Sequence, residues 1–584
     1  MQSSLPTRES ISETTHLQDS DLPLQRIYAS ELERPSQPFL TQPRNGETQT
    51  WTWSEAMAEI RRIAAWIVDQ GWPAGSRIVI LSKNCAWWVM ADFAIWMSGH
   101  ISVPFFPALR DESLATLFRH SEPVACFLGE LDQPPPIQAE PLQNVKFIRL
   151  PNARPDHIPQ DASDWQSIAL TGMSLQGQPV RAADDLATII YTSGTTGQPK
   201  GVMQSFRSLS LMGKSMEPAL GSSPYSLDRI LSYLPLAHIA ERAIVEMNSL
   251  IMPLQIFFTE GQQTFLTDLQ RSNCTIFFSI PRLFLRFQQG VFERVPERKL
   301  EVLLKLPILN RIVRNKILKG LGLQHAHLVA SGGAAIPVEI VHWYRGLGLN
   351  FVEGYGMTET GITHVPLPSQ FRAGFVGHAS RYADTRISGS GEVQIRGPMN
   401  LLGYYRNPEL TQQAFTEDGY FHTGDRGEID DRGRLRIVGR LKEEFKTSKG
   451  KYVVPAPIEK LLSLSTMFES VCVLGSGMAA PFCMTVLVPE LRKAAEASPQ
   501  RRDALEKALA HEIDRVNSQL DPHEQLRFLV VCQQPWTVDN GLLTPTLKVR
   551  RTALEERFNN GFSEWEQSKC RVLWQGINSE ETPA

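Results

Sequence analysis

The 584-residue sequence lacks an excess of either charge: 59 Lys and Arg stand against 62 Asp and Glu, for a formal net charge of −3. A chain dedicated to nucleic acid would carry a basic excess, so that class is set aside. Cysteine is scarce too, and the seven, scattered from Cys85 to Cys570, form no C-x-x-C pair. Such an odd, dispersed set argues against a disulfide framework or a zinc site and fits reduced thiols in a cytoplasmic compartment. Long apolar runs are missing. The most apolar stretch, residues 87–106, is interrupted by Asp92, Gly99, His100 and Pro104. A spanning helix needs about 20 mostly apolar residues, so this stretch reads as a buried helix running into a strand. Residues 1–25 are rich in Ser, Thr, Glu and Gln without an apolar h-region. They are expected to be a flexible tail rather than a signal peptide. No internal repeat is found.

What is present is ordinary globular composition, 42% hydrophobic and 21% charged, over a length that exceeds a single compact core. Residues 51–71 carry Ala56, Ile60, Ile63, Ala64 and Ile67 at helical spacing. Short apolar strands follow at 77–81, 125–128, 186–191 and 275–278, with helical stretches between them. That alternation predicts an α/β fold built on largely parallel sheet. Beyond residue 350 the texture changes. Residues 391–397 and 434–439 alternate polar and apolar side chains, as half-buried antiparallel strands do, between turns at Gly419, Gly424, Gly427 and Gly433. A Lys-rich loop, strands near 471–474 and 485–488 and a charged helix over 501–520 then suggest a small α+β domain. The expected division is a large domain over 26–439 with layered α/β and β-rich parts, a hinge at 440–442 and a small mobile domain over 443–584.

Residues 298–319 hold seven basic side chains against Glu301 alone, interleaved with Ile308, Leu309, Ile312, Val313 and Ile317. A basic amphipathic helix of this kind suits an anionic membrane surface. The plainer expectation for one such segment is a surface helix with its apolar stripe on the core.

The strongest chemical signal is Tyr191-Thr-Ser-Gly-Thr-Thr-Gly-Gln-Pro-Lys-Gly201, directly after an apolar strand. Glycines let the backbone curl so that several N–H groups meet one anion, and hydroxyls and a lysine add donors and charge. Walker A spacing fails, because Gly201 follows Lys200 and Gly197 lies three residues before it. This segment resembles the phosphate loop of the adenylate-forming superfamily, which includes acyl-CoA synthetases, peptide-synthetase adenylation domains and luciferases. Further stretches resemble that family's motifs in order: Leu234-Pro-Leu-Ala-His-Ile-Ala-Glu-Arg242, Ser331-Gly-Gly-Ala-Ala-Ile-Pro337, Gly354-Tyr-Gly-Met-Thr-Glu-Thr360, Phe421-His-Thr-Gly-Asp425, Gly439-Arg-Leu-Lys442 and Leu543-Thr-Pro-Thr-Leu-Lys-Val-Arg550.

The resemblance implies ATP, Mg²⁺ and coenzyme A as cofactors and co-substrates. It implies that Thr192, Ser193, Gly194, Thr195, Thr196, Gly197 and Lys200 hold phosphates, Thr358 holds the α-phosphate and Glu359 ligates the metal. Gly333, Ala334, Tyr355 and Gly356 would flank adenine, Asp425 would accept the ribose hydroxyls, and Arg440 would contact the ribose or the hinge. Gly332, Gly333 and His238 would border the acyl group. Lys548 would place an ammonium between carboxylate and α-phosphate, Lys442 would be the hinge residue, and Gly450 in Thr447-Ser-Lys-Gly-Lys-Tyr452 would line the pantetheine path. Read alone, Asp425 is a turn residue and Lys548 a surface lysine. The chemistry wants this set because joining two anions requires fixed positive charge and a metal.

The motif around His238 resembles the long-chain branch, implying a fatty acid substrate and an apolar channel. Residues 277–286 would line that channel or belong to the core. Transfer to a carrier-protein phosphopantetheine in place of coenzyme A, and a non-catalytic acyl- or nucleotide-binding protein, are the alternatives. Location in the cytoplasm, with peripheral contact on the inner face of a membrane, is the matching expectation.

Overall fold

The computed structural model describes residues 17–193, 199–221, 223–544 and 546–575. Two large sheets, each mainly parallel, form the N-terminal part. The first runs in the order Gly403–Tyr404, Pro199–Ser205, Leu186–Ser193, Ile101–Phe105, Arg77–Leu81, Ala125–Leu128, Lys146–Arg149, Ser163–Asp164. The second is ordered Phe351–Glu353, Leu328–Ser331, Ile276–Ser279, Asp228–Ser232, Leu254–Phe258, Pro38–Arg44, Glu47–Thr52.

Strand alternation sends side chains to opposite layers. Ile78 and Ile80 enter one core, while Val79 and Leu81 enter another. In the second sheet Ile230 and Ile276 face that same first core, and Leu231 and Phe277 face away. The two sheets thus share a central helical layer, including Ala86–Met97, all twelve residues of which are buried, and Phe206–Leu220. Within this layer Arg242, fully buried, pairs with Asp92 and with Glu246 (3.1 Å) and donates to Thr188 Oγ1 (2.7 Å), its guanidinium lying against Trp88 and Trp96. A buried charge persists only when paired in this way.

Strands 384–387, 392–396, 421–429 and 435–440 form an antiparallel sheet, of which the second and fourth match the alternation at 391–397 and 434–439. A 3₁₀ turn, Leu441–Glu443, leads out of it. The C-terminal part is a sheet ordered Phe468–Leu474, Phe482–Leu487, Leu529–Val531, Val572–Trp574, covered by Pro455–Leu462, Pro499–Asn517 and Arg551–Gln567.

Two expectations are corrected. The segment taken as a tail to residue 25 already contains the start of a helix, Pro23–Glu33, anchored by buried Leu22, Leu24, Ile27 and Tyr28. The basic segment is two helices, Glu297–Lys305 and Pro307–Gly320, because Pro307 cannot continue the first helix and starts the second.

Candidate active site

Parallel strands of an open α/β sheet present their carboxyl ends to ligands. Here the ends of both sheets converge on one cavity of about 1480 Å³. Tyr191 and Thr192 reach it from the first sheet, and Phe278, Ser331–Gly333 and Glu353–Tyr355 from the second. Asp425 and Arg440 come from the antiparallel sheet, and Lys548 from the C-terminal part.

The loop Thr358-Glu359-Thr360 joins two short antiparallel strands, Tyr355–Met357 and Gly361–His364. Gly361, the first residue of the second strand, has φ +67°, a left-handed conformation that favours glycine. Gly356 is needed for a different reason: a Cβ there would lie 2.3 Å from the Gly361 carbonyl oxygen. Gln204 Nε2 donates to the Thr358 carbonyl (2.7 Å), and the Leu401 N–H donates to that of Glu359 (2.7 Å). Strand 199–205 and the segment just before strand 403–404 thereby hold this loop over the cavity.

Tyr404 Oη donates to Glu359 Oε1 (3.2 Å), while its ring lies 5.5 Å from Lys200 Nζ. Burial raises the Glu359 carboxyl above its ordinary range, against the pull of Tyr404, Arg440 and Lys200. Asp425 accepts from Tyr355 Oη (2.6 Å) and pairs with Arg440 Nε (2.8 Å). The turns expected at Gly424 and Gly427 fall instead inside strand 421–429, and this strand is held from behind Asp425 by Glu392, which accepts from the Gly424 N–H (2.9 Å) and lies 2.8 Å from His422 Nδ1.

Lys548 lines the same cavity as His238 and the Asp425–Arg440 pair. Desolvation and Arg440 lower its ammonium pKa, partly offset by Asp425 and Glu443. Desolvation, with Lys548 as a second cause, depresses His238 to about 4. The Ala240 N–H donates to His238 Nδ1 (3.1 Å), so neutral His238 carries its proton on Nε2 as a donor.

Residues 29–405 match the family described as AMP-binding enzyme. The chain belongs to this family. Residues 444–565 match the AMP-binding enzyme C-terminal domain. Among curated relatives, the long-chain-fatty-acid–CoA ligase FadD15 of Mycobacterium bovis is 31% identical over 553 residues, covering 87% of this chain and 90% of the relative. The long-chain-fatty-acid–CoA ligase 1 of Homo sapiens is 26% identical over 590 residues, covering 90% and 82%. Among solved structures, the adenylation domain of a carboxylate reductase from Mycobacterium chelonae has a TM-score of 0.80 at 20% identity, covering 97% of this chain and 94% of that one. The A domain of a carboxylic acid reductase from Segniliparus rugosus, in complex with AMP and a co-purified carboxylic acid, has a TM-score of 0.78 at 19% identity, covering 95% and 96%. These structures establish the shared fold.

In this AMP-binding enzyme the cavity gathers Thr192, Lys200, His238, Gly332, Gly333, Ala334, Tyr355, Gly356, Thr358, Glu359, Asp425, Arg440, Lys442 and Lys548. Gly194, Thr195, Thr196 and Gly197, with the Ser193 side chain, lie outside the described residues. Gly450 is not brought to the cavity. It lies in an exposed turn closed by Gly450 N–H to Thr447 O (2.9 Å), tied instead to the Gly475–Met478 turn. The segment 277–286 divides: Phe278, Ile280, Arg282, Leu285 and Arg286 line the cavity, while Phe277 and Phe284 are fully buried in the core beyond the second sheet.

Sequence reasoning missed Tyr404, Gln204 and Glu392. Gly403-Tyr404 carries no motif spacing, and its place beside Glu359 arises only when strand 403–404 pairs with 199–205. Glu359 is the carboxylate beside Thr358 and Lys200, and no cluster of three metal-ligating side chains exists among the described residues. Mg²⁺ commonly takes one or two carboxylates and completes its shell with water and substrate phosphates, so this donor set fits it with a nucleotide in place.

Proposed function

We propose that this chain is an AMP-forming acid–thiol ligase that activates a long-chain fatty acid with ATP and passes the acyl group to coenzyme A. The observation that carries the reading is the cavity's composition. Its polar end brings Lys548, Thr358, Glu359 and Asp425 together, and it continues between the second sheet and the helix Phe206–Leu220. That branch is lined by Met216, Ala219, Leu220, Ile276 and Leu328. Ile276 and Leu328 begin their strands whereas Phe278 and Ser331 lie at the cavity end, so the branch follows the sheet for about 10 Å. Each buried methylene would contribute about 0.8 kcal/mol to binding.

In the first step a carboxylate oxygen attacks the α-phosphorus and pyrophosphate leaves. Lys548 offsets the charge between the two anions, and His238 Nε2–H offers a hydrogen bond to the acyl end. Thr358 holds an α-phosphate oxygen, Asp425 accepts the ribose hydroxyls and Tyr355 presents its face to adenine. Mg²⁺ held by Glu359 would neutralise charge on the phosphates. In the second step a thiolate attacks the acyl carbon and AMP leaves. The parts 26–439 and 443–584 would change their relative orientation about Lys442, withdrawing Lys548 and bringing the Gly450 turn to the cavity. The present placement of Lys548 inside and Gly450 outside suits the first step. The names of the relatives support the fatty acid and coenzyme A.

The test is AMP release from ATP and palmitate, with and without coenzyme A, with the acyl product identified by mass. AMP released in quantity only with coenzyme A, alongside palmitoyl-CoA, is the expected result. Palmitoyl-AMP that accumulates regardless of coenzyme A would move the acceptor to a carrier protein, and no turnover with palmitate would overturn the long-chain reading.

A further inference from the structure

We propose that the helical pair over residues 297–320 is a docking surface for an anionic lipid bilayer. A surface helix with its apolar stripe on the core would bury that stripe, and only part of this segment does so. Leu300 is buried, and Ile317 and Leu318 pack against the core beyond the second sheet. Val302, Leu306, Ile308, Leu309 and Ile312 point away from it, with exposures of 59, 43, 79, 43 and 58%. These five cluster where the two helices meet, around the break at Pro307.

Charge completes the surface. Arg298, Lys299, Lys305, Arg311, Lys316 and Lys319 are exposed around the apolar tip, and Arg314 is half-buried. None of the seven forms a salt bridge with a carboxylate among the described residues. Glu297 and Glu301 are the acidic residues of the pair. Isoleucine and leucine at a tip ringed by unpaired lysine and arginine match the interface of an anionic bilayer, where acyl chains take the apolar side chains and headgroup phosphates take the cations. A second copy of the chain fits poorly, since two-fold pairing would set this basic ring against itself. The preceding helix, Pro281–Arg294, lines the catalytic cavity through Leu285, Arg286 and Gln289, so the surface is one helix away from the cavity wall.

Sedimentation of the full chain with vesicles tests this, using phosphatidylcholine alone or mixed equally with phosphatidylglycerol. The assay contains neither ATP nor fatty acid, so its failure leaves the proposed reaction standing. The chain should bind the mixed vesicles, release at high salt, and bind phosphatidylcholine alone at least about tenfold more weakly. The double variant Ile308→Asp/Ile312→Asp should lose at least about tenfold in affinity for mixed vesicles, and Lys316→Glu/Lys319→Glu should lose the salt-sensitive part. Both pairs are exposed, and an unchanged Tm and far-UV circular dichroism spectrum will confirm that the variants fold. No binding by the wild type, equal binding to both vesicle types, or wild-type binding by the Ile308→Asp/Ile312→Asp variant would overturn the proposal. So would self-association in sedimentation velocity that the same variant abolishes, since the surface would then belong to a second copy.

Discussion

In the proposed reaction Lys548 would work as a cation in a place that disfavours cations. Cavity walls and Arg440 hold its ammonium below the ordinary lysine value, while Asp425 and Glu443 pull the other way. Its useful form there is the protonated one, so kcat/KM for acyl-adenylate formation, which reports the free enzyme, should fall with rising pH at a midpoint below the ordinary lysine value. Lys548→Arg should remove that alkaline limb, because guanidinium does not titrate in the range. Lys548→Ala should slow acyl-adenylate formation by about 100-fold or more, as loss of a preorganised charge does. Thioester formation from supplied acyl-AMP should be spared, and equal losses in both steps would remove Lys548 from its assigned role. At this scale the sequence was readable only through motif order. A Thr-Gly-Asp triplet or a lysine near the C-terminus is chemically unremarkable until Tyr355, Arg440 and Asp425 are within bonding distance. Tyr404 left no trace, because its partner Lys200 is about 200 positions away in the chain and is met only through strand pairing.

Elements were far more legible. The strand at 77–81 and the helix-to-strand passage at 86–105 follow from residue period and from where polar residues interrupt. Less legible were boundaries set by tertiary packing, such as the start at Pro23, where Leu22 and Leu24 become apolar anchors only against neighbouring helices. The hairpin carrying Thr358 and Glu359 shows how tightly an element can be specified. Gly356→Ala would push a methyl into the Gly361 carbonyl and the Ile362 Cα, which are backbone atoms that cannot rotate aside. The expected cost is about 1–3 kcal/mol of stability, read as a lowered Tm. Adenylation should fall more than thermal stability alone explains if Thr358 and Glu359 act as proposed, since the displaced strand carries their loop. An unchanged rate in the folded variant would show that the loop is positioned by Gln204 and Leu401 instead.

For the molecule as a whole, orientation is set among the described residues by the packing of Leu464 on the core beyond the second sheet and by a small set of ion pairs. Arg282, on a helix of the N-terminal part, pairs with Glu469 on a C-terminal strand at 2.9 Å, and Arg426 pairs with Glu444 just beyond the 3₁₀ turn. The first pair is partly exposed, and such pairs contribute roughly 0.2–1 kcal/mol. That is enough to bias an orientation and too little to lock one. Arg282→Ala should therefore reduce acyl-adenylate formation by at most about fivefold, with thioester formation from supplied acyl-AMP unchanged or faster. A loss confined to the thioester step would show that the pair stabilises the other orientation.

The apolar branch of the cavity has no lining of its own. Met216, Leu220, Ile276, Leu328 and Ile362 line the cavity and belong to the central core shared by both sheets. Selection for a new chain length therefore acts on residues that also keep the protein folded. Enlarging one of them to shorten the branch, or trimming one to lengthen it, shifts specificity and robustness together. Lineages that change their preferred acid here should carry compensating substitutions deeper in the helical layer, away from any ligand.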